Sequence, residues 1–269
     1  MFYDLNIPLP EAAGKPNGRL SGHEWAQIAQ TIERARELGY SVVALNQTIH
    51  GRLTPEHLQI WDTVPQFANS QRSWTEARAA DARSSVRRGE IRVLRRLTAV
   101  ISDATQGHSL SGAPANEYDL VAVQPTSEKI LLAACNGTWE AVDMVALDMG
   151  SRWGFLAKQK IVAQALALGV SFEVAFQPAL EGARQQWVCN ASNIVRVTRG
   201  QGMVWTSGAR QPPDIRTPYD IANLGDALQL NGDLSKRALS DNARAALTHA
   251  FTRTSTLRAV ASIHQGAVY

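Results

Sequence analysis

Apolar residues return along this 269-residue chain in two rhythms that take turns. Short, almost unbroken apolar runs suit strands buried on both faces, and stretches with apolar positions three or four apart suit helices that cover them. Runs at Phe2 to Ile7, Ser41 to Asn46, Arg92 to Ile101, Tyr118 to Val123, Val142 to Leu147, Ser171 to Phe176 and Gly202 to Thr206 predict seven strands. Ser21 and Glu24 have the spacing of a capping box, and Trp25, Ile28, Ile32, Ala35 and Leu38 then share one helical face before Gly39. Thr54-Pro55-Glu56 starts a short helix, with proline at the favoured first position. Further helices are predicted over Ser127 to Ala134, Lys158 to Leu168, about Leu180 to Thr198, Pro218 to Leu230, and Ser235 to about Phe251.

Strands that alternate with helices are parallel and joined by right-handed crossovers. No convincing eighth strand follows Leu230. The fold class is therefore α/β, a seven-stranded TIM-like βα barrel, with an open doubly wound sheet as the alternative. One domain spans residues 1–269, interrupted at about 66–90 by an Arg-rich stretch without apolar period that reads as an insertion or loop. Gln71 to Arg96 holds eight arginines against Glu76, Asp81 and Glu90, a local +5 in a chain of net +3, so the remainder is −2. Gathered arginines are either an electrostatic footprint for phosphate or a solvated helix laced with ion pairs.

Several classes of protein recede on composition and spacing. Apolar residues at 45% and charged residues at 19% are ordinary for a globular chain. No apolar run approaches the roughly 18–20 residues of a membrane helix, so no membrane partner is expected. The first residues lack a basic leader, and Asp4 and Pro8 interrupt them, so an intracellular protein is expected. Cys135 and Cys189 show no CxxC spacing, and both are expected as buried, reduced thiols. The six histidines form no HxH or HExxH pair. Gly200-Gln201-Gly202 precedes a strand rather than a helix, so it is no phosphate-binding turn, and no GxSxG elbow occurs.

The candidate chemistry lies elsewhere. Barrels that hydrolyse phosphoesters with metals carry paired histidines on their first strand; here that strand carries Asp4 and Asn6. Asp4, Asp119, Asp143, Asp148 and Glu173 lie on or beside strands, and Asp4 and Glu173 are the two expected to point into a barrel mouth, since Phe172, Val174 and Phe176 share the opposite face of the sixth strand. A carboxylate magnesium site is one reading; pairing with arginine or capping of loops is favoured, because unpaired buried charge is costly. The loop from Ser207 to Asp220 leaves the C-terminal end of a strand, where barrel functional groups gather. Its prolines would hold Arg210 and Arg216 ready for bidentate phosphate contact, unless Asp214 or Asp220 ties Arg216 internally. Lys158 and Lys160 open a helix just after Arg152 and Trp153, and an aromatic beside a cation can stack on an unpaired base or simply cover a barrel end.

Taken together, Leu38 to Asn46, Arg96-Leu97-Thr98, Tyr118 to Val123, Ser127-Glu128-Lys129, Phe172-Glu173-Val174, Ser207-Gly208-Ala209 through Arg216 to Gly225, and Asn242 to Leu247 resemble one family across nearly the whole chain. It is the thirty-kilodalton barrel subunit family of ribonuclease P and ribonuclease MRP. The resemblance implies a PHP-related barrel without the full metal-ligand set of metal-dependent phosphoesterases. It implies a noncatalytic RNA-binding subunit that scaffolds a catalytic RNA for processing of tRNA and rRNA precursors, with Mg2+ on the RNA and no cofactor or metal in the protein. The implied partners are the ribonuclease P and MRP RNAs, a small ferredoxin-like subunit, other protein subunits and precursor tRNA, in the nucleus and its nucleolus. The residues expected to touch RNA are Arg210, Arg216, Lys158, Lys160 and Lys129, then Arg87, Arg88, Arg95 and Arg96; Arg96 enters a strand and is the prime candidate for a buried structural role instead. The rival function is a metal-dependent phosphoesterase of the PHP type using Asp4 and Glu173.

Overall fold

The computed structural model describes residues 1–72 and 89–255. Within them the parallel strands β1 (Phe2–Pro8), β2 (Tyr40–His50), β4 (Ile91–Ile101), β5 (Leu120–Pro125), β6 (Met144–Ala146), β7 (Ser171–Ala175) and β8 (Met203–Thr206) follow one another round a nearly closed barrel. A three-residue strand, β3 (Ser70–Arg72), lies beside the start of β4, below the point where β5 joins it at Arg96. It comes from the stretch expected as a loop. Helices α1 (Gly22–Glu37), α2 (Glu128–Cys135), α3 (Gln159–Ala167), α4 (Arg184–Thr198), α5 (Pro218–Ala227), α6 (Gly232–Ala238) and α7 (Asp241–Ser255) complete the main elements. Among the described residues no helix is long and apolar enough to cross a membrane.

Strand alternation sorts the apolar residues into two layers. Val43, Leu45, Val93, Leu97, Val121, Val123, Phe172 and Trp205 pack outward against the helices. Tyr3, Leu5, Val42, Ala44, Leu94, Ala122, Met144 and Val204 fill the interior. Helix α1 starts at the expected box: Ser21 accepts from the Glu24 amide while Glu24 accepts from the Ser21 amide at 2.7 Å. It buries Trp25, Ile28, Ile32 and Ala35. Gly39 stops it with a φ of 96°, a conformation that suits a residue without Cβ.

Two expected helices are broken, each for a visible reason. The one over about 180–198 holds as α4 from Arg184 to Thr198, but its first residues are cut off at Gly182, with a φ of 99°, and Leu180 ends a separate turn, Gln177–Leu180. The one over 235–251 divides at Leu239, whose carbonyl accepts the Tyr3 amide at 3.0 Å and so joins the break to β1. Helix α7 then crosses the barrel floor, and Ala243, Ala246 and Ala250, all fully buried, belong to the interior cluster. Their spacing puts three small side chains on one helical face, which lets the backbone approach the strand ends. Of the two cysteines, Cys135 is buried as expected, but Cys189 on α4 is exposed, a correction that follows from its position on the solvent side of that helix.

Three of the strand carboxylates extend the hydrogen-bond ladder where strands run short. Asp119 accepts the Arg95 amide at 2.8 Å, and Asp143 accepts the Val121 amide at 2.9 Å. Asp4 accepts the Ser207 amide at 2.9 Å across the gap between β1 and β8. That gap is also spanned by Ser207 Oγ and the Gly208 amide, both donating to the Asn6 carbonyl at 3.2 and 3.0 Å. The seam of the barrel is thus closed by a serine, a glycine and a carboxylate rather than by a ladder.

Candidate functional site

The mouth of the barrel holds a closed ring of polar side chains. Arg96 and Glu173 project inward from β4 and β7, 0% and 3% exposed. Arg96 Nη1 donates to Glu173 Oε1 at 2.8 Å, and Nη2 donates to Oε2. Arg96 Nε donates to Thr98 Oγ1 at 3.2 Å, Thr98 to Asn46 Oδ1 at 2.8 Å, Asn46 Nδ2 to Asn6 Oδ1 at 2.8 Å, and Asn6 Nδ2 back to Glu173 Oε1 at 2.8 Å. Thr206 from β8 adds a bond of 2.6 Å to the same oxygen. Five strands therefore meet in one network.

A backbone irregularity in β1 makes the ring possible. Three steps from Asp4 to Ile7 face two steps from Val43 to Leu45 on β2, so strict alternation fails there. Leu5 and Asn6 both serve the interior as a result. The Leu5 carbonyl accepts Arg96 Nη1 at 2.7 Å, and Asn6 bridges Asn46 to Glu173.

The electrostatics fit a permanent ion pair. Burial works to raise the Glu173 carboxyl, but the charge and hydrogen bonds of Arg96, with those of Thr206 and Asn6, outweigh it and hold the group below the usual carboxylate range. Glu173 Oε1 already accepts from three donors, Asn6 Nδ2, Arg96 Nη1 and Thr206 Oγ1. Asp4 does not join Glu173 as a ligand. Its Oδ1 is committed to the seam, its Oδ2 is buried without a partner, and burial pushes its carboxyl up to about 6 against the pull of the Ser207 and Asn6 hydrogen bonds. Among the described residues no three of His, Cys, Asp and Glu gather where they could hold a metal ion. The donor set does not fit the phosphoesterase reading that used Asp4 and Glu173.

At the opposite end Asp143, fully buried, accepts from His249 Nδ1 at 2.9 Å and from Arg253 Nη2 at 3.0 Å and Nε at 3.2 Å. This cluster ties α7 to the floor.

The residues expected to touch RNA divide sharply. Lys129 in the first turn of α2, Lys158 at the start of α3, Lys160 within it, and Arg210 and Arg216 after β8 are all exposed. Each follows the C-terminal end of a strand, the end that carries the mouth. Lys158 is engaged by Glu128 at 2.6 Å. Arg210 and Arg216 are held through their backbones: Gln27 Nε2 donates to the Arg210 carbonyl at 3.5 Å and Tyr40 Oη to the Arg216 carbonyl at 3.1 Å. Asp214 is spent on the Gln211 amide at 3.1 Å and forms no ion pair with Arg216 among the described residues. Arg96 does not reach the surface at all, which corrects the expectation of RNA contact there. Arg95 points to the other face of β4, is 9% exposed and lies 3.8 Å from Glu117, so it too is largely withdrawn. Arg87 and Arg88 lie outside the described residues. Sequence reasoning missed Asn46, Thr98 and Thr206 as partners of the pair; β2 and β4 each carry several polar residues, so no single one stood out there.

Fold and mouth together define a class: a parallel, TIM-like βα barrel whose mouth is filled by its own buried ion pair. The chain matches the family described as "RNase P subunit p30" over residues 1–255, and it belongs to that family. It is 28% identical over 254 residues to mouse "Ribonuclease P protein subunit p30", covering 90% of this chain and 88% of that protein. It is 25% identical over 262 residues to the "Probable ribonuclease P protein subunit 3" of Schizosaccharomyces pombe, covering 97% and 98%. With Saccharomyces cerevisiae "Ribonuclease P/MRP protein subunit RPP1" identity is 27% over 244 residues, covering 90% and 78%. In fold it is similar to a chain in a cryo-EM structure of archaeal ribonuclease P with mature tRNA, with a TM-score of 0.61, 13% identity, and coverage of 99% and 100%.

Proposed function

We propose that this barrel is a noncatalytic RNA-binding scaffold of a ribonuclease P and MRP particle, in which the RNA subunit processes tRNA and rRNA precursors and carries the Mg2+. The observation that carries the reading is the occupied mouth. Arg96 and Glu173 neutralise one another where a phosphoesterase would need free ligands, while exposed cations stand on the loops and helix starts around the same end. Relatives named as ribonuclease P and MRP subunits support the particle. A small ferredoxin-like subunit and other particle proteins are the proposed protein partners, and the nucleus, with its nucleolus, the proposed site of work.

The test uses the purified chain and transcribed ribonuclease P RNA. Each phosphate neutralised adds about 0.7–0.9 to the slope of log affinity against log salt. Arg210→Ala and Arg216→Ala are each expected to weaken binding and flatten that slope by about 1. Affinity indifferent to salt and to both substitutions would leave a protein-only assembly role. Metal-dependent phosphoester turnover by the isolated chain, lost on Asp4→Ala, would restore the phosphoesterase.

A further inference from the structure

The loop between β6 and α3 is built far more firmly than a surface connection requires. Asn190, buried on α4, spends its amide nitrogen on the carbonyls of Ser151 at 2.9 Å and Met149 at 3.1 Å, with Asp148 at 3.4 Å. Trp153 Nε1 donates to the Asp148 carbonyl at 2.6 Å, and Asp148 Oδ1 accepts the Gly150 amide at 3.0 Å. What this scaffold holds out is an aromatic platform. The rings of Trp153 and Phe155 lie 6.3 Å apart and within 12° of parallel, both half-buried. Arg152, exposed, sits beside them.

Between this platform and α4 is an open cleft of about 340 Å3, room for a nucleoside. Its far wall carries Gln186 and Asn193. Gln186 gives its amide nitrogen to Asn190 at 3.0 Å and keeps its carbonyl oxygen for a ligand. Asn193 takes Arg196 on its oxygen at 2.8 Å and keeps its amide nitrogen. The cleft thus offers stacking faces, one acceptor, one donor and a cation at its edge. A pocket for an apolar protein side chain needs no such acceptor and donor pair, whereas the edge of a base does.

We propose that this cleft receives one unpaired nucleobase of RNA, stacked on the Trp153 and Phe155 platform, with Arg152 on the adjoining phosphate. The inference rests on the RNA-binding reading above and adds a base-specific site to it. The probes are an RNA hairpin with a single unpaired adenosine and the same hairpin with an abasic site there, which keeps every phosphate. The full chain is expected to bind the first about tenfold more tightly, because a stacked base contributes that much when its platform is intact. Phe155→Ala should erase the preference and leave the salt slope unchanged; Trp153→Phe, which keeps a ring, should retain most of it. Equal affinity for both hairpins, with a steep salt slope, would overturn the base site and leave the scaffold reading standing. No binding to either would sink both. If Phe155→Ala keeps the preference but detaches a protein subunit from the reconstituted particle, the platform is a protein-docking surface instead.

Discussion

Replacing Arg96 with methionine is the sharpest test of the barrel mouth. The substitution leaves Glu173, 3% exposed, with only Asn6 and Thr206 as neutral donors, and it strips the Leu5 carbonyl of Arg96 Nη1. Removing one member of a buried pair costs about 3–5 kcal/mol, and the lost hydrogen bond to the Leu5 carbonyl adds about 1. A domain of this kind has about 5–15 kcal/mol in total, so Arg96→Met is expected to lose most of its stability in urea unfolding followed by circular dichroism. Methionine at both 96 and 173 removes both charges but orphans Asn6 Nδ2 and Thr206 Oγ1, so the double variant should stay about 1–3 kcal/mol below the original while exceeding either single change. The pH dependence should also reverse sign. With Arg96 present the Glu173 carboxyl is depressed, so its contribution holds at neutral pH and is lost as pH falls through its folded value. Without Arg96, burial dominates, the carboxyl rises, and protonation at low pH relieves the variant. The stability gap between Arg96→Met and the original should therefore narrow on acidification. A gap under about 1 kcal/mol, or one that ignores pH, would refute the reasoning.

Other outcomes follow from the seam, the floor and the thiols. Asp4 is raised from 3.8 to about 6 in the folded chain, so its contribution is complete below the unfolded value and declines as pH rises through about 6. The decline is on the order of 3 kcal/mol, and Asp4→Asn should remove it from urea midpoints measured on either side of that window. Arg253→Leu leaves the buried Asp143 with His249 alone on that side and should cost about 3 kcal/mol, seen first as faster hydrogen exchange in α7. A thiol reagent should label exposed Cys189 in the native chain; buried Cys135, whose thiol burial pushes up to about 12, should react only on unfolding.

Periodicity alone exposed the strands on the main path and the capping box at Ser21. It also set Glu173 against Phe172 and Val174, because neighbours on a strand face opposite ways. The same rule separates Arg95 from Arg96, yet it could not say which of the two turned inward. The ring itself was less legible. Asn6, Asn46, Thr98 and Thr206 meet only because the stagger of the strands brings them to one height, and because β1 carries an extra residue there. Neither stagger nor bulge leaves a mark in composition. The alanine face of α7 reads equally well as a surface stripe until the barrel floor is seen beneath it. The Asn190 clamp joins residues about forty positions apart, beyond any local pattern.

The floor of the barrel has a bearing on how the chain is made. Residues 241–255 supply the alanines that seal the interior from below and the arginine that neutralises Asp143. During synthesis β1 to β8 are all made before that seal exists. The nascent barrel must hold an open, greasy base and an uncompensated aspartate until α7 emerges, a window in which a chaperone or a premature neighbour meets it half-finished.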